Sequence, residues 1–134
     1  MIGKGCKFAR LIHPQVDHNF NEIGEGSILS EGVRLGALVN LGRHCALRFN
    51  ASIGHESLLE DYVYVSSGVI LGGRVQIGEG AYLGMGCTIK QGVTIGPESI
   101  IGAGAVVLKD VKPHTTVVGV PAKEIIRKDE KENR

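Results

Sequence analysis

Branched aliphatic residues recur at every sixth position along most of the chain. Fifteen positions lie six residues apart from Ile23 to Val107, and each is Leu, Ile or Val. Four positions after each of these, from Ser27 to Val111, the residue is always small or β-branched. A helix repeats about every 3.6 residues and a strand about every 2, so neither forms one long element with this period. The pattern predicts a short strand and a corner, repeated many times; we call each repeat a hexad.

Three hexads close one triangular coil, whose aliphatic and small side chains fill a narrow core. Residues 23–112 therefore form about five coils (15 ÷ 3), stacked at about 4.8 Å into a prism roughly 24 Å tall. Glycine follows the aliphatic residue in nine of the fifteen hexads. We expect these glycines to supply corner backbone angles that a side chain would forbid.

The two ends of the chain lack this period. Residues 1–22, with Ile12, Val16 and Phe20, are expected to form an irregular N-terminal cap. Residues 113–134 are expected to form a loop, a short α-helix that begins at Pro121, and a tail, because proline suits the first turn of a helix. The prediction is one all-β domain, a parallel β-helix of about five coils with a short C-terminal α-helix.

Composition narrows the classes of function. The 134 residues suit one domain, and a net charge of +1 gives no basic surface for nucleic acid. No apolar run approaches the roughly 18 residues of a membrane helix, and the first residues lack a signal-peptide core. The three cysteines are an odd number, which argues against a disulfide framework and favours a cytoplasmic location. Cys45 and Cys87 occupy the small inward position and are interpreted as packing residues.

One corner carries residues with the chemistry of a general base. His55 is followed by Glu56, and a carboxylate on one ring nitrogen would leave the other free to remove a proton. Gly73 comes three hexads after His55, so it falls directly beneath it and could offer a backbone N–H to a developing oxyanion. On the residues alone, a solvated His–Glu corner remains the alternative interpretation. The column Met85, Ala103 and Pro121, also spaced by three hexads, is either a ligand groove or a subunit-packing side.

Several segments together resemble hexapeptide-repeat acyltransferases. These are the hexads, the His–Glu pair within IGHESLLEDYVYVSSGVILGG, the run IGAGAVVLKDV and the ending GVPAKEI. The chain is most similar to the sialic acid O-acetyltransferase and UDP-4-amino-sugar N-acetyltransferase family, from about Ile12 to Ile126. The resemblance implies a left-handed winding, although parallel crossovers are otherwise nearly always right-handed. It also implies an acetyl-CoA-dependent homotrimer that acts on a small-molecule acceptor without a metal.

The resemblance assigns roles to individual positions. It makes His55 the general base, Glu56 its orienting carboxylate and Gly73 the backbone donor to the thioester carbonyl. It places the coenzyme A groove between two subunits, along Met85, Ala103, Val120, Pro121 and Lys123. Asn50, beside Phe49, and Tyr64 are weaker candidates for acceptor contacts.

Two departures from the family concern the acceptor. Many members carry an N-terminal nucleotide-sugar-binding domain, whereas the repeats begin almost at once here. Some members have a second histidine nine residues after the base, where this chain has Tyr64. The resemblance therefore leaves open which acceptor is used, and whether a hydroxyl or an amine is acetylated.

Two other functions are kept as alternatives. The first is a metalloenzyme that resembles γ-class carbonic anhydrases, since His13 and His18 have an H-x4-H spacing. A catalytic zinc site needs a third protein ligand, and no histidine precedes this pair. The second is a non-catalytic β-helix assembly module, which would need neither the His–Glu pair nor the GVPAK ending.

Overall fold

The computed structural model describes residues 6–126 as a three-sided parallel β-helix of about six turns. Strands of two or three residues alternate with tight corners, and each strand pairs in parallel with the strand one turn away. Through the middle of the prism the paired residues are three hexads apart, as where Leu47 pairs with Val65 and Val65 with Leu83. The hexad pattern therefore predicted the strand positions correctly. Within residues 6–126 no helix is long and apolar enough to span a bilayer.

Each side of the prism is one sheet. The first face consists of β1 (Leu11–Ile12), β3 (Ile28–Leu29), β6 (Ala46–Leu47), β9 (Tyr64–Val65), β12 (Tyr82–Leu83), β15 (Ile100–Ile101), β17 (Thr116–Val118) and β18 (Lys123–Ile125). The second face consists of β2 (Glu22–Ile23), β5 (Asn40–Leu41), β8 (Leu58–Leu59), β11 (Gln76–Ile77) and β14 (Thr94–Ile95). The third face consists of β4 (Arg34–Leu35), β7 (Ser52–Ile53), β10 (Ile70–Leu71), β13 (Thr88–Ile89) and β16 (Val106–Val107).

The core is the stack of inward side chains predicted from the period. All fifteen small positions from Ser27 to Val111 are buried, and so are the aliphatic positions except Leu35, which is partly buried. Where the small residue is serine, its hydroxyl bonds to the backbone: Ser57 Oγ donates to the Gly72 carbonyl and accepts from the Val75 amide. Cys45 and Cys87 lie among these buried residues, as expected.

The glycines that follow the aliphatic residues have a different role from the one predicted. None of them has a positive φ; the left-handed corner positions come two residues later, at Gly26 (φ 75°) and also at Glu56 (φ 59°). A Cβ added at Gly24 would lie 2.3 Å from the Gly42 carbonyl oxygen of the next coil. These glycines are therefore required because the backbones of successive coils approach too closely for a side chain.

The C-terminal end differs from the prediction in two ways. Ile101 pairs with Val117 and not with residue 119, so the last coil is two residues shorter than three hexads. Lys123–Ile125 form strand β18, antiparallel to β17, where an α-helix was expected. A helix of one or two turns is marginal in water, whereas the open edge of β17 offers a row of backbone partners. The predicted helix is therefore wrong over 121–126, and the predicted tail from residue 127 lies outside the described residues.

Candidate functional site

His55 and Glu56 lie at the corner between β7 and β8, which we call the His55 corner (residues 54–57). Their side chains are 49% and 44% exposed, and His55 Nδ1 lies 3.1 Å from Glu56 Oε1. The pair is therefore at the surface and not inside the prism. With Nδ1–H donating to the carboxylate, Nε2 of His55 carries the free lone pair.

Gly73 lies in the coil directly beneath His55. A Cβ built on Gly73 would come within 2.5 Å of His55 Nε2, and the Arg74 amide donates to the His55 carbonyl at 2.8 Å. The backbone N–H of Gly73 makes no backbone hydrogen bond within residues 6–126. The free imidazole nitrogen thus overlies bare backbone, and any side chain at residue 73 would collide with it.

Arg74 completes the cluster and was missed in the sequence. Its Nη2 lies 3.3 Å from Glu56 Oε1, the same oxygen that faces His55. The hydrogen bond from His55 and then the charge of Arg74 lower the pKa of Glu56. The ionised Glu56 carboxylate therefore contributes to stability at neutral pH. This contribution is lost as the pH falls through the lowered pKa of Glu56. The signal was available, because Arg74 lies one coil (three hexads) after Glu56.

The residues assigned to coenzyme A lie at another corner. Met85 and Ala103 are stacked between the first and third faces, where the Gly104 amide donates to the Met85 carbonyl at 2.8 Å. Pro121 does not continue this column, because the short last coil places Gly119 level with Ala103. Met85 is 64% and Val120 71% exposed, and Pro121 and Lys123 are also exposed. This corner and the His55 corner lie at opposite edges of the third face.

The two weaker acceptor candidates also lie away from His55. Asn50, with Phe49, belongs to the same edge as Met85 and has a φ of 63°. Tyr64 lies on the first face, opposite the His55 corner, and its ring stacks on Tyr82 at 5.2 Å. A single chain thus brings together His55, Glu56 and Gly73, with Arg74 added, and does not bring the other candidate residues to them.

A groove of about 550 Å³ lies on the second face, yet His55 is not among its lining residues. Glu22, Glu60, Asp61 and Glu79 give it an acidic wall. Asp61 is paired with Arg43 across one coil at 3.2 Å. We therefore locate the candidate site by the chemistry of the His55 corner and not by this groove.

The histidines of the metalloenzyme alternative lie near the start of the described chain. His13 Nδ1 accepts a hydrogen bond from the Gln15 amide at 3.2 Å. Among residues 6–126, no group of three or more His, Cys, Asp or Glu side chains is arranged to hold a metal ion. The pair therefore lacks a third ligand in the described part of one chain.

The buried thiols lead to a first prediction. Cys45 and Cys87 are buried, and desolvation raises the pKa of both, that of Cys87 to about 12. Since the thiolate is the reactive form, we expect a disulfide reagent at pH 8 to titrate one thiol quickly, that of exposed Cys6. The other two should react only on unfolding, and a Cys6→Ser variant should show no fast thiol. Rapid labelling of Cys87 in the native protein would contradict this.

Comparison with known proteins supports this interpretation of the fold. Residues 74–109 match the family model described as bacterial transferase hexapeptide (six repeats). A stretch of 34 residues is 56% identical to a serine acetyltransferase of Bacillus pumilus, covering 25% of this chain and 16% of that protein.

Solved structures match over most of the chain. The acetyltransferase domain of PglB from Neisseria gonorrhoeae is 33% identical, with a TM-score of 0.87 over 90% of this chain and 60% of that one. A perosamine N-acetyltransferase from Caulobacter crescentus, solved with CoA and GDP-perosamine, is 31% identical, with a TM-score of 0.89 over 92% and 59%. The chain thus spans about 60% of the length of these structures. The chain therefore contains hexapeptide repeats, which the family model matches over residues 74–109, and it folds as the left-handed parallel β-helix of the acetyltransferases that it resembles.

Proposed function

We propose that the protein is an acetyl-CoA-dependent acetyltransferase, which moves an acetyl group to an amine or hydroxyl of a small molecule, with an amino sugar as the favoured acceptor. The observation that carries the proposal is the geometry of the His55 corner. An exposed imidazole has Nδ1 on a carboxylate at 3.1 Å, and its Nε2 faces the bare backbone of Gly73. Likeness to acetyltransferases, one of them a perosamine N-acetyltransferase solved with CoA and GDP-perosamine, favours an amine as the acceptor.

The residues of the corner suit direct transfer. His55 Nε2 is the base that takes the proton from the acceptor nitrogen or oxygen as it attacks, while Glu56 holds Nδ1–H and stabilises the imidazolium. Acetyl-CoA supplies the activated acyl group, so that a C–N or C–O bond forms while the C–S bond breaks. The Gly73 N–H, which has no backbone partner within residues 6–126, would donate to the thioester oxygen as negative charge develops there. His55 then returns its proton to the departing sulfur, and both buried thiols stay outside the reaction.

A homotrimer is part of the proposal, because one chain separates the parts of the site. His55 and the column of Met85 and Ala103 lie on opposite edges of the third face. A three-fold ring can set the His55 corner of one protomer against the Met85 edge of the next. Val120, Pro121 and Lys123 would then extend the groove, while Asn50 and Tyr64 remain acceptor-side proposals. We assign the protein to the cytoplasm, where acetyl-CoA and reduced thiols coexist.

The proposal is tested by a transfer assay. The protein is incubated with acetyl-CoA and a panel of amino sugars, nucleotide-linked amino sugars and their hydroxyl analogues. Release of the coenzyme A thiol is followed, and acetylated products are identified by mass. We expect transfer to at least one amine. No product from any acceptor, together with no binding of acetyl-CoA, would favour an assembly module.

Binding of acetyl-CoA gives a second prediction. At 100 times its dissociation constant, a ligand that binds only the folded state stabilises it by about 2.7 kcal/mol, which raises the melting temperature by roughly 10 °C. A Met85→Glu variant should lose most of this shift, because its carboxylate would lie in the groove that receives the pantetheine arm. Ile28→Glu, on the first face three coils above Tyr82 and 37% exposed, is the matched control and should keep the shift.

The same measurement decides between the acetyltransferase and the metalloenzyme. Chelation by EDTA should leave the melting temperature unchanged if acetyl-CoA is the ligand of the site. A fall on chelation that zinc reverses, without any effect of acetyl-CoA, would favour the metalloenzyme instead.

A further inference from the structure

Arg74 and Glu56 form an ion pair between successive coils of the His55 corner. Arg74 Nη2 and His55 Nδ1 share a single carboxylate oxygen, Oε1 of Glu56, at 3.3 and 3.1 Å. The backbone ties the two coils together at the same point, because the Arg74 amide donates to the His55 carbonyl at 2.8 Å. Glu56 and Arg74 both have left-handed backbones, with φ of 59° and 55°, which project their side chains from equivalent corner positions.

We propose that Arg74 is a positioning residue for the reaction assigned to His55: it holds Glu56 against Nδ1 of the ring and adds a positive charge beside the His55–Glu56 pair. The inference rests on the proposed function, and it adds a residue that the acyltransferase resemblance did not supply. The guanidinium contacts Oε1 from the coil below, which favours the orientation of the carboxylate that faces Nδ1. Its charge also offsets part of the negative charge of Glu56, which would otherwise favour the imidazolium more strongly.

No other charged side chain contacts the His55 ring within residues 6–126. The equivalent corner positions of the coil above and of the second coil below are uncharged. They are Ala37, Leu38, Gln91 and Gly92. The neighbouring outward strand positions are also uncharged on both adjoining faces. They are Ser52, Ile70, Leu58 and Gln76. In the columns that adjoin the corner on the third face, the first charges are Lys90, two coils below Gly54, and Arg34, one coil above Ser52. Within the described part of one chain, Glu56 and Arg74 are therefore the charged side chains that contacts link to the His55 ring.

How strongly the charge of Arg74 acts on the His55–Glu56 pair depends on how exposed the charged side chains are. Arg74 is 61% and Glu56 44% exposed, so the charges interact through water rather than through a dry interior. Two unit charges about 6 Å apart in water interact weakly, and the corresponding shift of a titration is about 0.5 pH unit. Loss of the guanidinium should therefore move the protonation of His55 upward in pH by about that amount.

The experiment compares three variants with the wild type. Arg74→Gln should move the acid limb of the pH profile of kcat/KM upward by about 0.5 pH unit, and Arg74→Lys should restore it because the charge is kept. Arg43→Gln is the matched control, since Arg43 is 59% exposed and pairs with Asp61 across one coil at another corner. It should leave the profile unchanged.

A second readout does not depend on acetyl transfer. The titration of the His55 ring is followed by NMR in the free protein, its signal being identified by its loss in His55→Gln. The Arg74→Gln midpoint should rise, and the Lys variant should reverse the rise. An unmoved midpoint in Arg74→Gln, an equal movement in Arg43→Gln, or no reversal by lysine would overturn the proposal. Absence of transfer in the wild type would instead refute the proposed function and leave this titration to decide the role of Arg74.

Discussion

A His55→Ala variant should lose acetyl transfer by a factor of about 10²–10⁴ while it keeps the fold of the wild type. The loss follows from removal of the ring nitrogen that takes the acceptor proton, since Nε2 lies directly above Gly73. The fold should survive because the side chain is 49% exposed and its hydrogen-bond partner, Glu56, is also at the surface. The measurement is initial rate against acetyl-CoA and acceptor, with melting temperature and oligomeric state recorded for the same preparations.

The matched control is His114→Gln, compared with His55→Gln. His114 is another exposed corner histidine, with a φ of 56°, but it lies at the corner between the second and first faces. Its replacement should leave transfer unchanged. The dissociation constant of acetyl-CoA should be similar in both variants, since neither histidine belongs to the proposed groove. Full activity of His55→Gln would remove His55 from its role, even if the protein proves to be an acetyltransferase.

The regular part of the fold could be predicted because its period leaves few alternatives. A side chain repeated at every sixth position can stay inside only if the chain turns after each short strand, so burial of Leu47, Val65 and Leu83 followed directly. The same arithmetic placed Gly73 beneath His55. It failed at the end of the prism, where the last coil is two residues short. Val111 rather than residue 113 pairs with Ile95, and the sequence there carries no period to reveal the change.

The candidate site was predictable only where it depends on stacking within one chain. His55 and Glu56 are adjacent in sequence, and Gly73 and Arg74 follow one coil later. Arg74 was missed because charged residues at corners are common and exposed, so only its spacing of one coil from Glu56 could have indicated its role. The groove that the resemblance assigns to Met85 lies across the third face, and in the proposed trimer its approach to His55 would depend on the packing of chains against one another. That packing is determined by whole surfaces and not by spacing along one sequence.

The second large effect concerns stability. It distinguishes the glycines that directly follow an aliphatic residue from the corner glycines with a positive φ. Gly78→Ala should destabilise the protein by about 3 kcal/mol, because the new Cβ would lie 2.4 Å from the Pro97 nitrogen of the next coil. The obstacle is backbone, which can move only if the coils separate. The Gly78 amide donates to the Ile95 carbonyl at 2.8 Å, so separation would also strain the ladder between coils. Urea denaturation would measure the change in the free energy of unfolding.

Asparagine substitutions at Gly78 and Gly92 test whether a glycine is required for lack of space or for its backbone angle. Gly92 has a φ of 80°, and a Cβ there would meet no atom within 4 Å. Asparagine tolerates the left-handed region, as Asn50 shows with a φ of 63°, so Gly92→Asn should cost less than about 1 kcal/mol. Gly78→Asn should be at least as damaging as Gly78→Ala, because its side chain begins with the same Cβ. Equal effects of asparagine at both positions would contradict the view that contact between coils, rather than backbone angle, requires the glycines after the aliphatic residues.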